Sequence, residues 1–235
     1  MDSYVVFAKE PESGKVKTRL TPPLLPEEAA RLYTAFLHDV CAAMASCSSP
    51  GDRKVLAAPG RGGRTLESIA KEHGFDLVEQ IGADLGARMK KALGDELAAG
   101  ARAVLLVGSD SPSLPVEAVR EGARRLKAAS SASAVIGPAG DGGYWLIGAA
   151  GAVPDLFEGI AWSTRDVLAQ TLSRAASRGV DLGLLPFWYD VDEIADVRLL
   201  EGHLAWSTSQ GRSVAPRTAA ALAALKAARG GIFPS

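Results

Sequence analysis

The stretch Ala103-Val104-Leu105-Leu106-Val107-Gly108-Ser109-Asp110-Ser111-Pro112-Ser113-Leu114-Pro115 runs five apolar residues into a polar turn and then into a helical pattern. A short continuous apolar run bounded by Gly reads as a strand buried on both faces, as in a parallel sheet covered by helices. Ligands of open α/β sheets bind beyond the carboxyl ends of their strands. Asp110 is delivered to such an end. Magnesium takes oxygen ligands and commonly only one or two protein carboxylates, the rest being phosphate and water, so one Asp here is enough to propose a cation. The competing reading is that Asp110 or Ser113 caps the helix that starts near Pro115. With Ser113 as the cap, Asp110 stays free. The turn lacks the Gly-x-Ser-x-Gly pattern of a nucleophile elbow.

Outward from this strand, extended apolar runs alternate with helical patterns. Strands are expected at 4–8, 54–58, 76–79, 103–108, 134–137, 144–147 and 181–185. Helices are expected at 26–45, 85–97, 115–129, 163–177, 193–206 and 215–228. In the first helix Ala29, Leu32, Tyr33, Phe36, Leu37, Val40, Cys41 and Met44 form one stripe, with Pro26 in the first turn and Glu27 and Glu28 at the positive end of the dipole. Leu85, Met89, Leu93 and Leu97 recur at intervals of four in the second. Gly230-Gly231 is expected to end the last helix. The alternation predicts a three-layer α/β/α fold with a mainly parallel sheet, in one domain spanning 1–235.

Composition narrows the function. Twenty-six Lys and Arg against 27 Asp and Glu leave a net charge of −1, which removes the electrostatic case for a nucleic-acid or anionic-membrane partner. The longest strongly apolar run is far short of the ~20 residues of a membrane helix, and no signal-peptide core follows Met1, so a cytoplasmic protein without a membrane span is expected. Cys41 and Cys47 lie on different faces of one helix and read as buried or incidental thiols. His38, His73 and His203 are isolated in sequence, without a zinc-ligand or Cys/His pattern. Any metal is therefore expected on oxygen ligands.

Three more strand ends carry unusual loops. After the first strand come Lys9, Lys15, Lys17 and Arg19 on a loop with Pro11 and Gly14, a donor set suited to a di- or triphosphate. The alternative is a solvated basic loop partly balanced by Glu10 and Glu12. The loop is not a P-loop, because Lys9 stands where the first Gly belongs and Val16 follows Lys15. In Gly137-Pro138-Ala139-Gly140-Asp141-Gly142-Gly143-Tyr144-Trp145, glycines around Asp141 allow close backbone approach to a ligand, while Asp-Gly also signals a plain hairpin turn. In Asp190-Val191-Asp192, extended backbone would set both carboxylates on one side, where repulsion favours a cation. Asp192 can instead cap the following helix.

These motifs, taken in order, resemble the radical-SAM/selenodomain-associated transferases of the nucleotide-diphospho-sugar transferase superfamily, with its GT-A-like fold. The resemblance rests on Phe7-Ala8-Lys9-x-Pro11-x-x-Gly14-x-Val16-Lys17-Thr18-Arg19-Leu20, Gln80-x-Gly82-x-Asp84-Leu85-Gly86-x-Arg88-Met89, Gly108-Ser109-Asp110-x-Pro112, the segment from Gly137 to Gly148, and Trp162-Ser163-Thr164 ahead of Asp190-Val191-Asp192. Glu193 stands where the family carries Thr. More distantly the chain is similar to molybdopterin and phospholactate guanylyltransferases. The resemblance implies a transferase dependent on Mg2+ or Mn2+ that takes a nucleotide or nucleotide-sugar donor and a small-molecule acceptor. It further implies phosphate contacts from Lys17 and Arg19, to which the loop reading above adds Lys9 and Lys15, and a nucleotide side formed by the segment with Gln80, Asp84 and Arg88. Asp110 is the implied metal ligand, and Asp190 and Asp192, from the spacing read above, complete the expected metal set. The loop with Asp141, Gly142 and Gly143 would face the acceptor, and Lys17, Asp110 and Asp141 would carry catalysis. Glycosyl transfer is the first reading. Nucleotidyl transfer and a non-catalytic nucleotide-binding module are its rivals. On this reading, replacing Lys17 or Arg19 weakens nucleotide binding and leaves the fold intact.

Overall fold

The computed structural model describes residues 1–229, and in these the strands are β1 (Ser3–Phe7), β2 (Arg53–Ala58), β3 (Asp76–Glu79), β4 (Ala103–Val107), β5 (Ser133–Pro138), β6 (Tyr144–Ala150) and β7 (Asp181–Leu184). They form one sheet of order β3-β2-β1-β4-β6-β5-β7. The helices are α1 (Pro26–Cys47), α2 (Arg64–His73), α3 (Leu85–Ala98), α4 (Val116–Ala128), α5 (Val167–Arg178), α6 (Ile194–Ser209) and α7 (Pro216–Arg229). The expected stop at Gly230-Gly231 lies outside the described residues. No described helix is long and apolar enough to cross a membrane.

β1 pairs in parallel with β2 and β4, β2 with β3, and β5 with β7, while β6 runs antiparallel between β4 and β5. Six strands therefore end at one edge of the sheet. Side chains alternate between two cores. Tyr4, Val6, Leu56, Leu105 and Val107 face α1, α2 and α4, and Val5, Phe7, Val55, Val104 and Leu106 face α3 and α5. The whole expected stripe of α1 is buried. In α3, Met89 and Leu93 are buried but Leu85, at the first position of the helix, is exposed.

One helix escapes the periodicity. α2 buries only Leu66, Ile69 and Ala70, and it follows a Gly-rich turn with no local capping side chain. Its amino terminus is held from outside. Glu10, near the start of the loop that follows β1, accepts hydrogen bonds from the backbone N–H groups of Gly63 (2.8 Å), Thr65 (3.0 Å) and Leu66 (3.2 Å). Glu10 thus serves as a helix cap, not as a counter-charge for the basic loop.

β4 and β7 are not neighbours, contrary to the simplest way of bringing Asp110 and Asp190 together, because β6 and β5 lie between them. The chain after β7 closes the gap by crossing the sheet edge. Leu185 N donates to Ile136 O, Trp188 N to Pro138 O, and Val191 N to Asp110 O at 2.8 Å.

Candidate active site

The crossing segment sets three aspartates from two loops beside a lysine from a third. Lys17 sits in left-handed backbone at φ 46° and its side chain is only 4% exposed. Its ammonium donates to Val191 O (2.8 Å) and Asp192 Oδ1 (2.8 Å) and pairs with the Asp110 carboxylate. An ammonium has three N–H donors, and all three are engaged. The Tyr33 and Phe36 rings of α1 lie 5.8 and 5.7 Å from Lys17 Nζ. Burial pulls the Lys17 pKa down, but the charges of Asp110 and Asp192 outweigh it and hold the pKa well above the usual lysine value. Replacing Lys17 would strip two carboxylates of their cation, so the expectation that the fold tolerates its loss is revised.

Asp190 is treated differently by its surroundings. Its Oδ1 accepts a hydrogen bond from Ser111 Oγ at 2.6 Å. Burial pushes its pKa up to about 6. The Ser111 bond opposes that rise, and the charges of Asp110, Asp141 and Asp192 add to it. Asp141, exposed at the tip of the β5–β6 hairpin, accepts from Gly143 N at 2.8 Å. The turn is a hairpin, and it projects from the sheet edge that carries the carboxylates.

Neither loop aspartate is spent on a helix cap. Glu193 occupies the cap position of α6, and Asp196 accepts from the N–H groups of Asp192 (3.0 Å) and Glu193 (2.8 Å). The proposed capping role of Asp192 is therefore corrected. Ser113 does not cap α4 either, because its hydroxyl donates to Tyr189 OH (3.0 Å), which in turn bonds His203 Nδ1 (2.7 Å). Tyr33 fastens the base of the site. Its OH accepts from Lys9 N (3.1 Å) and shares a hydrogen bond with Ser109 Oγ (2.7 Å). Burial, then the Asp110 charge, pushes its pKa up to about 12.

The four cations of the first loop divide into three situations. Lys15 pairs with Glu12 on the surface at 2.6 Å, and Lys17 turns inward. Lys9 and Arg19 are exposed, and no side-chain partner is seen for either among the described residues. On the far side of β1, Gln80 Nε2 donates to Ala57 O (2.8 Å) and Ala8 O (3.3 Å), bracing the ends of β1 and β2. Asp84 caps α3 by accepting from Ala87 N (2.7 Å), and Arg88 Nε donates to Gly82 O (3.1 Å). A cavity of about 310 Å³ lies here, lined by Phe7, Val55, Ala57, Gln80 and Arg88 among others. It contains none of the clustered carboxylates. Of the two hairpin glycines, Gly142 is the one without an alternative. Its φ is +89°, and an added Cβ would stand 2.0 Å from Arg165 O.

A mainly parallel sheet with one reversed strand, helices on both faces and this carboxyl edge gives the chain a GT-A-like α/β fold. It is similar to a crystal structure from Desulfovibrio desulfuricans G20, provisionally named a nucleotide-diphospho-sugar transferase, at 32% identity over 97% of this chain and 96% of that one, with a TM-score of 0.82. The fold is shared with a nucleotidyl transferase from Methanothermobacter thermautotrophicus, at 17% identity over 88% and 99% of the two chains and TM-score 0.59. It is also shared with glucosyl-3-phosphoglycerate synthase from Mycobacterium tuberculosis in complex with Mn2+, uridine diphosphate and glucosyl-3-phosphoglycerate, at 12% identity over 90% and 79% and TM-score 0.53. No curated protein matches the sequence. The chain belongs to the family described as "Uncharacterized protein conserved in bacteria (DUF2064)", which matches residues 41–164.

Proposed function

We propose that this protein is a single-domain, divalent-cation-dependent transferase that takes a nucleotide-activated donor, with a nucleotide-diphospho-sugar as the first reading, in keeping with its motif resemblance to the radical-SAM/selenodomain-associated transferases. The observation that carries the reading is electrostatic. Asp110, Asp190, Asp192 and the nearby Asp141 gather at one strand edge around a single buried ammonium, an excess of negative charge that a cation relieves. Asp110 and Asp192 are both bonded to that one ammonium, so a single ion can reach both, and Asp190, whose pKa is raised first by burial and then by Asp110, Asp141 and Asp192, lies near enough to feel their charge.

In this reading Asp110, Asp190 and Asp192 hold Mg2+ or Mn2+. Bound there, the ion supplies Lewis-acid neutralisation of the donor's phosphate oxygens. Arg19 and Lys9, exposed on the loop that carries Lys17, bind the remaining phosphate charge, and Arg19 can take two oxygens at once. Lys17 holds Asp110, Asp192 and the Val191 carbonyl in register, and it reaches phosphate only by releasing one of these partners. The cavity at Gln80 and Arg88 takes the nucleoside end, and Asp141 on the hairpin tip orients an acceptor hydroxyl. No covalent intermediate on the protein is needed for direct displacement at an anomeric carbon or an α-phosphorus.

Calorimetry with nucleoside diphosphates in the presence and absence of Mg2+ tests the reading. Arg19→Ala is expected to weaken binding by about 1 to 3 kcal/mol, and Asp110→Asn to abolish the magnesium-linked part. Affinity indifferent to magnesium and to both substitutions overturns it. Mass spectrometry of the products separates the two transfer chemistries. Nucleoside diphosphate released from a nucleotide sugar marks glycosyl transfer, and pyrophosphate released from a triphosphate marks nucleotidyl transfer.

A further inference from the structure

The three histidines look isolated in sequence, but folding brings two of them into contact away from the carboxylate cluster. His38 projects from the middle of α1 and His73 from the last residue of α2, and His38 Nδ1 and His73 Nε2 are 3.2 Å apart. Glu72 Oε2 lies 3.6 Å from His38 Nδ1, and all three ligand atoms fall within 4.8 Å of one another. The His38 side chain is 13% exposed while that of Glu72 is 42% exposed, so the group opens to solvent on the carboxylate side.

We propose that His38, Glu72 and His73 form a transition-metal site of the zinc class, with two imidazoles, one carboxylate and a fourth position open to solvent. The spacing fits. Two nitrogens on one tetrahedral zinc, each at ~2.0–2.1 Å from the metal, are about 3.3 Å apart. The ligand set is also the borderline nitrogen and oxygen set that suits zinc and excludes calcium or magnesium, which want oxygen throughout. The partner of the carboxylate fits as well. Glu72 Oε1 pairs with Arg217 at the start of α7 and leaves Oε2 for the metal, the outer-shell pattern by which ligating carboxylates are oriented. Arg217 is held in turn by its backbone N–H on Asp39 Oδ1 (3.2 Å), next to His38 in the chain. A metal here would tie α1 to α2, with α7 joined to the group through Arg217. The site shares no residue with the proposed transfer centre, so the two stand or fall separately.

The same nitrogens at the same distance can simply share a hydrogen bond, and a titration distinguishes the two. The full chain, stripped with chelator, is titrated with Zn2+ by calorimetry and with Co2+ by visible absorption. One equivalent of Zn2+ is expected, together with the intense visible bands of four-coordinate Co2+ and a melting temperature raised by zinc. His73→Ala and Glu72→Gln are each expected to lower zinc affinity about 10-fold or more, whereas Asp110→Asn, in the other cluster, leaves it unchanged. Glu72→Gln sits on the surface and guards against a His variant that fails to fold. Arg217→Gln keeps a hydrogen-bond donor for Glu72 and removes a nearby positive charge, so it is expected to tighten zinc severalfold. Absence of stoichiometric zinc binding, or binding indifferent to both His73→Ala and Glu72→Gln, overturns the proposal.

Discussion

Asp190 has a hydroxyl for a partner where its two neighbours share an ammonium, and this difference is measurable. Exposed, its carboxyl would titrate near 3.8, and in the fold it is pushed up to about 6 by burial and then by the surrounding carboxylates. The folded chain therefore binds the Asp190 proton more tightly than the unfolded chain does between about pH 4 and pH 6. Stability falls as pH rises through that window and stays reduced above it. Asp190→Asn keeps an oxygen to accept the Ser111 hydroxyl and removes the charge. Its melting temperature is expected to exceed that of the unsubstituted chain at pH 8, by the equivalent of about 1 to 3 kcal/mol, and the gain should vanish below pH 4. A variant that melts no higher at pH 8 would mean that a cation already neutralises Asp190 without added metal.

At the scale of elements, α2 shows how a weak helix is stabilised from a distance. Its buried face is three residues and its first turn offers only glycine for a cap, so the carboxylate of Glu10 receives three N–H groups that would otherwise be unpartnered. Burial opposes ionisation of Glu10, but a hydrogen bond from the Thr65 side chain and those from the three N–H groups prevail and hold its carboxyl below the usual value. The stabilisation from this cap is present above the ordinary glutamate range and is lost as pH falls through the lowered pKa. Glu10→Ala is expected to cost about 1 to 2 kcal/mol and to speed amide exchange selectively at residues 63–67. Because Glu10 belongs to the loop that carries Lys9 and Arg19, the cap also anchors the proposed phosphate-binding loop to α2. Unchanged exchange at 63–67 in the variant would show that α2 does not depend on this contact.

Over the whole molecule, Lys17 joins the first loop of the chain to the last one at the sheet edge, 174 residues from Val191 and 175 from Asp192. Its side chain is buried, but Asp110 and Asp192 are 44% and 39% exposed, so water screens part of the interaction. Lys17→Met is expected to cost about 2 to 4 kcal/mol, less than the loss of one partner of a fully buried pair. Millimolar Mg2+ should restore a larger part of the melting temperature than an equal ionic strength of NaCl does. Equal effects of the two salts would show that no divalent ion replaces the ammonium there.

Hydrophobic period is a local property, and it determined what local properties can: the strands, all but one of the helices, the three-layer class, and the strand-end loops on which the proposed site rests. The apolar run 103–107 and the α1 stripe from Ala29 to Met44 each need only a few neighbouring residues to be read. The family motifs likewise pointed to Asp110 and Asp190 before any topology was known. Tertiary structure decided which polar groups spend one another. It assigned Glu10 rather than a local residue to α2, gave the capping of α6 to Asp196 and so freed Asp192, turned Lys17 inward from its loop, and set His38 against His73. Each of these pairings depends on strand order and on a segment crossing the sheet edge, because a hydrogen bond is made within about 3 Å and spacing along the chain does not report that distance.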